Sequence, residues 1–65
     1  MKILLNGEQK EIESATVSDL VQSLALPAAT VLIEHNGLAL RREEWHGRAL
    51  NNGDRIEIIR IVAGG

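Results

Sequence analysis

The sequence predicts an α+β fold in which one short helix packs on a single mixed sheet of about five strands. Two Asn-Gly dipeptides, Asn6-Gly7 and Asn36-Gly37, each lie between two apolar runs, and Asn-Gly is the strongest short-range signal for a β-hairpin. Between these hairpins, one segment has its apolar residues at helical spacing. A final apolar run closes the chain, so the predicted order is strand, strand, helix, strand, strand, strand.

Length and composition limit the possible functions. The 65 residues form one predicted domain, 1–65, and a chain this short buries only about 60% of its unfolded surface. It has no cysteine and one aromatic residue, so aliphatic side chains must build the core. The net charge of −2 argues against nucleic-acid binding, which needs clustered Lys and Arg. No apolar run approaches the roughly 20 residues of a membrane span, so we expect a soluble cytoplasmic protein.

The first hairpin is predicted from Met1–Leu5 and Gln9–Glu13, which flank the first Asn-Gly turn. Side chains alternate across a strand. Ile3 and Leu5 are therefore expected to face the core, and Leu4 the opposite side of the sheet.

The helix is predicted to begin at Thr16, whose hydroxyl can accept a hydrogen bond from the backbone N–H of Asp19. An acidic residue in the first turn also suits the helix dipole. One apolar stripe at helical spacing follows, formed by Val17, Leu20, Val21 and Leu24. The helix should end near residues 24–26, because Pro27 disfavours helical geometry in the residue before it.

The second hairpin is predicted from Val31–His35 and 38–40. Alternation directs Val31 and Ile33 to the core and Leu32 outward. The charged segment that follows predicts an irregular turn or a short 3₁₀ helix, in which Trp45 closes one end of the core. A tight turn at 51–54, rich in Asn and Gly, then leads into the last strand.

The last strand, 55–61, carries the most informative pattern. Ile56 and Ile58 alternate with charged residues and should face the core. Strict alternation puts Ile59 and Ile61 on the outer face, unless a β-bulge returns them to the core. Since one helix cannot cover both faces of the sheet, an exposed apolar strip is favoured. The strand should lie beside the first strand and parallel to it, as a right-handed crossover requires.

Conventional catalytic and metal-binding patterns are absent from the sequence. His35 and His46 have no metal-ligand spacing around them. The glycines form no phosphate-binding motif, and the sequence shows no plausible pair of nucleophile and base. We therefore predict no catalytic residue and no metal site.

The order of elements is that of the β-grasp fold, and its last strand continues into Gly64-Gly65. We predict that residues 62–65 form a flexible C-terminal tail. Glycine lets a main chain enter a narrow channel, which suits a terminus that is itself the reacting group. A frayed end is the alternative interpretation. Exposed apolar patches usually mark interaction sites; we predict partner docking at the residues expected on the outer face, Leu4, Leu32, Ile59 and Ile61.

Four stretches of the chain, taken together and in their order along the sequence, resemble the ThiS-type sulfur carriers of thiamine biosynthesis. This family has a ubiquitin-like β-grasp fold. They are the opening strand and turn at 1–7, the helix start at 15–20, the Arg-x-x-Trp segment at 42–45, and the Gly-Asp turn with the last strand and Gly-Gly end at 53–65. Two features depart from the family. Its members often have Pro where Arg41 stands, and their third strand is usually more evenly apolar than residues 31–36.

The resemblance implies a carrier and not an enzyme, with no bound cofactor. A ThiF-type enzyme would use ATP to adenylate the Gly65 carboxylate. A persulfide sulfur, supplied from cysteine by a desulfurase, would displace AMP to leave a thiocarboxylate, and a ThiG-type thiazole synthase would accept the sulfur. Gly64 and Ala63 would form the rest of the tail. The alternatives are a carrier like the small subunit of molybdopterin synthase, a ubiquitin-like conjugator, and a plain β-grasp interaction module.

Overall fold

The computed structural model describes residues 1–61. In this part of the chain it contains five strands, one α-helix and two 3₁₀ segments. The strands are β1 (Lys2–Leu5), β2 (Glu8–Glu11), β3 (Val31–His35), β4 (Leu38–Leu40) and β5 (Arg55–Arg60), the helix is α1 (Val17–Ser23), and the 3₁₀ segments are Ala28–Thr30 and Arg42–Gly47.

The sheet is mixed, with the strand order β2-β1-β5-β3-β4. β5 lies in the middle, parallel to β1 and antiparallel to β3, and the two hairpins form the edges. The predicted fold class and the predicted parallel pairing of the first and last strands are therefore confirmed. This topology makes the last strand of the chain the structural centre of the sheet.

Both hairpin turns have the geometry that Asn-Gly favours. Asn6 and Gly7 have φ values of 50° and 81°, and Asn36 and Gly37 have 51° and 85°, as a type I′ turn requires. A two-residue turn brings residue 8 opposite residue 5, so β2 begins one residue before the predicted start and ends at Glu11. Ile12 lies beyond the strand and packs, partly buried, against the core.

The helix begins as predicted, because the Thr16 hydroxyl accepts a hydrogen bond of 3.1 Å from the Asp19 N–H. It ends earlier than Pro27 alone requires. Ala25 takes a left-handed conformation with φ of 56°, and the N–H groups of residues 25 and 26 donate back to the carbonyls of residues 22 and 21, as in a Schellman motif. The prediction that Leu24 completes the buried stripe is wrong: its side chain is 40% exposed, and Leu26 packs against the core instead.

The core lies between α1 and one face of the sheet and is almost entirely aliphatic. Its buried side chains come from the helix, from β1, β3, β4 and β5, and from the segment between β4 and β5; they are Ile3, Val17, Leu20, Val21, Val31, Ile33, Leu40, Trp45, Leu50 and Ile56. Trp45 is held by the second 3₁₀ segment, which confirms the predicted turn and its place at the core. The other face of the sheet has no helix over it within residues 1–61.

Candidate functional site

The open face of the sheet carries a cluster of exposed aliphatic side chains where β5 runs toward the C-terminus. Leu32 and Ile59 lie directly opposite each other on β3 and β5, and Ile61 follows two residues later on the same face. Their exposed fractions are 52%, 47% and 50%, which is high for large aliphatic residues. We call Leu32, Ile59 and Ile61 the outer strip.

Regular strand pairing keeps the outer strip on this face. β3 and β5 pair residue for residue from Val31–Arg60 to His35–Ile56, with no residue skipped in either strand. The Ile61 N–H extends the pairing by donating to the Thr30 carbonyl at 2.7 Å. The β-bulge alternative is therefore wrong, and the expected exposure of Ile59 and Ile61 is confirmed.

Leu4 also faces outward and is 40% exposed, but it lies away from the outer strip. In the parallel pairing of β1 with β5, Leu4 is opposite Arg55, four residues before Ile59. Four residues of strand span about 13 Å, and the charged side chain of Glu57 lies between. The structure therefore does not bring the four predicted docking residues into one patch.

Asn6 anchors β5 at the point where β1 ends. Its Oδ1 accepts a hydrogen bond of 2.7 Å from the Ile58 N–H, and its Nδ2 donates to the Ile58 carbonyl at 3.2 Å. One side chain thus satisfies both backbone groups of a residue that has no partner strand on that side in the β1–β5 pairing. This holds β5 in place up to the beginning of the outer strip, a role that the Asn-Gly turn pattern does not predict.

A partly buried polar cluster lies at the opposite end of β5. His35 is buried on the core face of β3; Arg48 Nε donates to its Nδ1 at 2.8 Å, and its Nε2 lies 2.7 Å from Asp54 Oδ2. Because Nδ1 accepts the bond from Arg48, the ring proton is on Nε2 and is donated to Asp54. No local motif in the sequence predicts this cluster, although the same period of two that buries Val31 and Ile33 also places His35 on the core face.

The Asp54 carboxylate accepts several hydrogen bonds in this cluster. Burial raises the pKa of its carboxyl, but hydrogen bonds from His35, from the Asn51 N–H and from Asn36 lower it, and the pKa ends below its ordinary value. The bonds to Asn51 and Asn36 measure 2.8 Å and 3.2 Å. The carboxylate therefore stays ionised and ties the 51–54 turn to the end of β3.

The residues expected to carry the chemistry, Ala63, Gly64 and Gly65, lie outside the described residues. In residues 1–61 no group of three or more His, Cys, Asp or Glu is arranged to hold a metal ion. His46 is exposed, and His35 is engaged in the polar cluster. Across the same range, every helix is too short or too polar to cross a bilayer.

One open groove lies between β2 and α1, with a volume of about 380 Å³. Leu5, Leu20 and Leu24 contribute apolar walls, and charged residues of β2 line its rim. Its two serines, Ser14 and Ser23, have no histidine beside them in this lining. The lining therefore contains no Ser–His pair of the kind that activates a hydroxyl nucleophile.

Comparisons with known proteins agree with one another. The family model described as "ThiS family" matches residues 3–65. The sulfur carrier protein ThiS of Bacillus subtilis is 33% identical over 63 residues, which cover 94% of this chain and 96% of that protein. The crystal structure of the thiamine biosynthesis protein ThiS from Geobacter metallireducens superimposes with a TM-score of 0.85 at 29% identity, covering 100% of both chains.

Two longer relatives match over the whole of this chain. The thiazole synthases of Paramagnetospirillum magneticum and Magnetococcus marinus are each 32% identical over 66 residues. The chain spans only 20% of the length of each of them. A segment similar to this chain is therefore part of a larger thiazole synthase polypeptide in these two organisms.

Proposed function

The chain belongs to the ThiS family, and we propose that it is a sulfur carrier protein of thiamine biosynthesis. The observation that carries the proposal is the family match over residues 3–65, which includes the Gly64-Gly65 end. The Bacillus subtilis sulfur carrier, similar over nearly its whole length, supports the same function. In this proposal the protein is a carrier and not an enzyme, because the reacting group is a main-chain carboxylate that other proteins modify.

The proposed chemistry takes place at the carboxylate of Gly65. A carboxylate is a poor electrophile, so a ThiF-type enzyme transfers AMP from ATP to one of its oxygens and releases pyrophosphate. The terminal sulfur of a persulfide, formed by a cysteine desulfurase, then attacks the carbonyl carbon and displaces AMP. A second thiol reduces the resulting acyl disulfide, which leaves the thiocarboxylate and a protein disulfide.

The acceptor in this proposal is a ThiG-type thiazole synthase. The two thiazole synthases that contain a segment similar to this chain support this partner. The outer strip lies at the end of β5 from which residues 62–65 follow. Docking through the outer strip would hold the partner next to the tail, and Gly64 and Ala63 would present little side-chain bulk to a narrow active site.

Intact-mass measurement tests the proposed function. The chain is incubated with a ThiF-type enzyme, ATP, a cysteine desulfurase and cysteine, and its mass should increase by one oxygen-to-sulfur exchange. Omitting ATP should leave the mass unchanged. A known family member serves as the positive control; an unmodified chain under conditions that load this control would reject the proposal.

Deletion of Gly65 locates the reacting group. We expect the shortened chain to acquire no sulfur, since its terminal carboxylate would be displaced by one residue from the adenylation site. The melting temperature should remain near that of the full chain, because the described residues 1–61 already form a packed core. A large loss of stability would instead show that the end of the chain is structural.

A further inference from the structure

Two like charges face each other beside the outer strip. Glu34 on β3 lies directly opposite Glu57 on β5, in the row next to the Leu32–Ile59 pair. The Cβ atoms of directly opposed residues in an antiparallel pair are about 4.5–5.5 Å apart, and like charges in such positions repel and destabilise the sheet. The two carboxylates therefore work against folding of the free protein.

In the part of the chain that the structure describes, no cation compensates this glutamate pair. Within residues 1–61 neither carboxylate forms a salt bridge. Arg55, two residues before Glu57 on the same face, stays beyond salt-bridge distance of both carboxylates, and on β4 the residue opposite Glu34 is Ala39. A local arrangement that breaks a stability rule without a gain inside the fold is expected at a functional surface.

We propose that the outer strip and the pair Glu34–Glu57 form one docking surface, and that its occupant is a thiazole synthase whose contacting face carries an aliphatic cluster beside a single arginine. This inference rests on the proposed function. The thiazole synthases that include a segment similar to this chain favour this occupant over other proteins, because there the carrier segment and the synthase share one polypeptide.

Arginine is the cation that this arrangement suits. A guanidinium presents five N–H donors in a planar fork, so it can donate to the carboxylates of Glu34 and Glu57 together. Such charge-assisted hydrogen bonds are about twice as strong as neutral ones. An arginine between the two carboxylates would also remove their mutual repulsion, so that binding relieves a strain that the free carrier contains.

The outer strip supplies the surroundings that make the ion contact effective. Leu32 and Ile59 lie one row away from the glutamates, and their burial against an aliphatic partner surface would exclude water from the contact. Electrostatic attraction increases as the effective dielectric constant falls. The apolar and charged halves of the surface thus act together, whereas either half alone would be a weak site.

Paired glutamine substitutions test the docking surface. The affinity of Glu34→Gln/Glu57→Gln for the purified thiazole synthase is compared with that of wild type over a range of salt concentrations. We expect Kd to rise by about tenfold or more and its salt dependence to decrease, while Tm stays at or above the wild-type value because the repulsion is gone. Glu13→Gln/Glu43→Gln, which removes two exposed carboxylates elsewhere, is the matched control and should bind as wild type does.

A charge reversal provides the second variant. Glu57→Lys places a cation opposite Glu34, which should stabilise the free carrier and repel the arginine of the partner. Binding should therefore weaken further than in the glutamine variant, although folding improves. A gain in stability together with a loss of affinity identifies a docking surface. If the pair had a structural role, stability and affinity would change in the same direction.

Three results would overturn the inference. The first is an unchanged Kd in both glutamate variants, and the second is an equal loss of affinity in the Glu13/Glu43 control. The third is weakened binding of the glutamate variants to the ThiF-type enzyme while their binding to the synthase stays normal. This third result would assign the surface to a different occupant. Sulfur loading is measured separately by intact mass. If the wild-type carrier is loaded normally but the glutamate variants bind the synthase as tightly as wild type does, the docking surface is rejected and the proposed function remains in place.

Discussion

The two ends of β5 are built in opposite ways. At its start, the 51–54 turn accepts hydrogen bonds from Lys2, His35 and Asn36, two of them between side chains, and the Arg55 N–H donates to Asn36 Oδ1. At its other end, the outer strip exposes about half of each aliphatic side chain. The last backbone bond seen there joins Ile61 to Thr30.

This difference indicates that the two ends of β5 have different roles, one in stability and the other in partner binding. The start of β5 is anchored by several polar contacts, of which those to His35 are partly buried, so it provides stability. The other end leaves apolar surface open, where it adds little to the stability of the free protein and is available to a partner. We expect substitutions at the start to affect mainly folding, and substitutions at the outer strip to affect mainly binding.

Among substitutions of polar residues, the largest expected effect is the loss of stability in His35→Ala. This change removes the acceptor of Arg48 and one of the three donors to Asp54, and it opens space in the core. Hydrogen bonds to charged groups contribute about 1.5–3 kcal/mol each, so we expect the free energy of unfolding to fall by about 3 kcal/mol in urea denaturation.

His46→Ala is the control for the histidine change. His46 is exposed, and surface substitutions usually change stability by no more than about 0.5 kcal/mol. Equal effects of the two substitutions would contradict the anchoring role of the His35 cluster. Normal sulfur loading of His35→Ala at a temperature where it is folded would show that the cluster acts through stability alone.

The second effect is on binding. Ile61→Asp introduces a charge into the outer strip and should weaken partner binding by about 2 kcal/mol, which is the range of an interface hot spot. Its free energy of unfolding should change far less, because the side chain is already 50% exposed. Isothermal titration and urea denaturation of the same sample measure both quantities.

Ile56→Asp makes the same change at a buried position near the start of β5. Ile56 is buried in the core, so this substitution should prevent folding. If Ile61→Asp also unfolds the protein, then the end of β5 is structural, and the comparison between the two ends fails.

The third effect concerns the boundary between the two ends. Asn6→Gly retains the positive φ of the turn but removes both hydrogen bonds to Ile58. We expect a loss of about 1 kcal/mol and faster hydrogen exchange at the Ile58 amide. Asn6→Asp keeps the acceptor for that amide and should show slower exchange than the glycine variant; equal exchange in both would contradict the anchoring role of Asn6.

The smallest effect is a dependence of stability on acid pH. The pKa of Asp54 lies below its ordinary value in the folded state. Its contribution is therefore fully present above the pKa of the unfolded chain, and it is lost as the pH falls through the lower, folded pKa. The stability difference between wild type and Asp54→Asn should consequently shrink below about pH 4, as measured by denaturation at several pH values; a constant difference would contradict this.

Much of the molecule was predicted from local signals. The two Asn-Gly turns, the Thr16 cap and the alternation in the last strand each depend on residues close together in sequence, and the structure confirms them. The outer strip was predicted in the same way, since period-two alternation needs no knowledge of other strands. The family resemblance rested on segments spread over the chain, and the comparisons confirm it.

One error arose at the end of the helix, and the other where distant segments meet. Leu24 was expected in the core, but the helix closes with a left-handed residue at Ala25, a position for which glycine is the usual signal. Leu4 was grouped with the outer strip because it is apolar and faces outward. Its distance from Ile59 depends on the register between β1 and β5, which no local pattern contains.

The sequence by itself determined the elements, their order and the face on which each apolar residue of a strand lies, because hydrophobic periodicity and turn chemistry act over a few residues. Only the tertiary structure decided which residues become neighbours across strands. It placed His35 between Arg48 and Asp54, Glu34 opposite Glu57, and Leu4 apart from the outer strip. These contacts depend on the strand register, which the whole sheet sets when it packs against the helix.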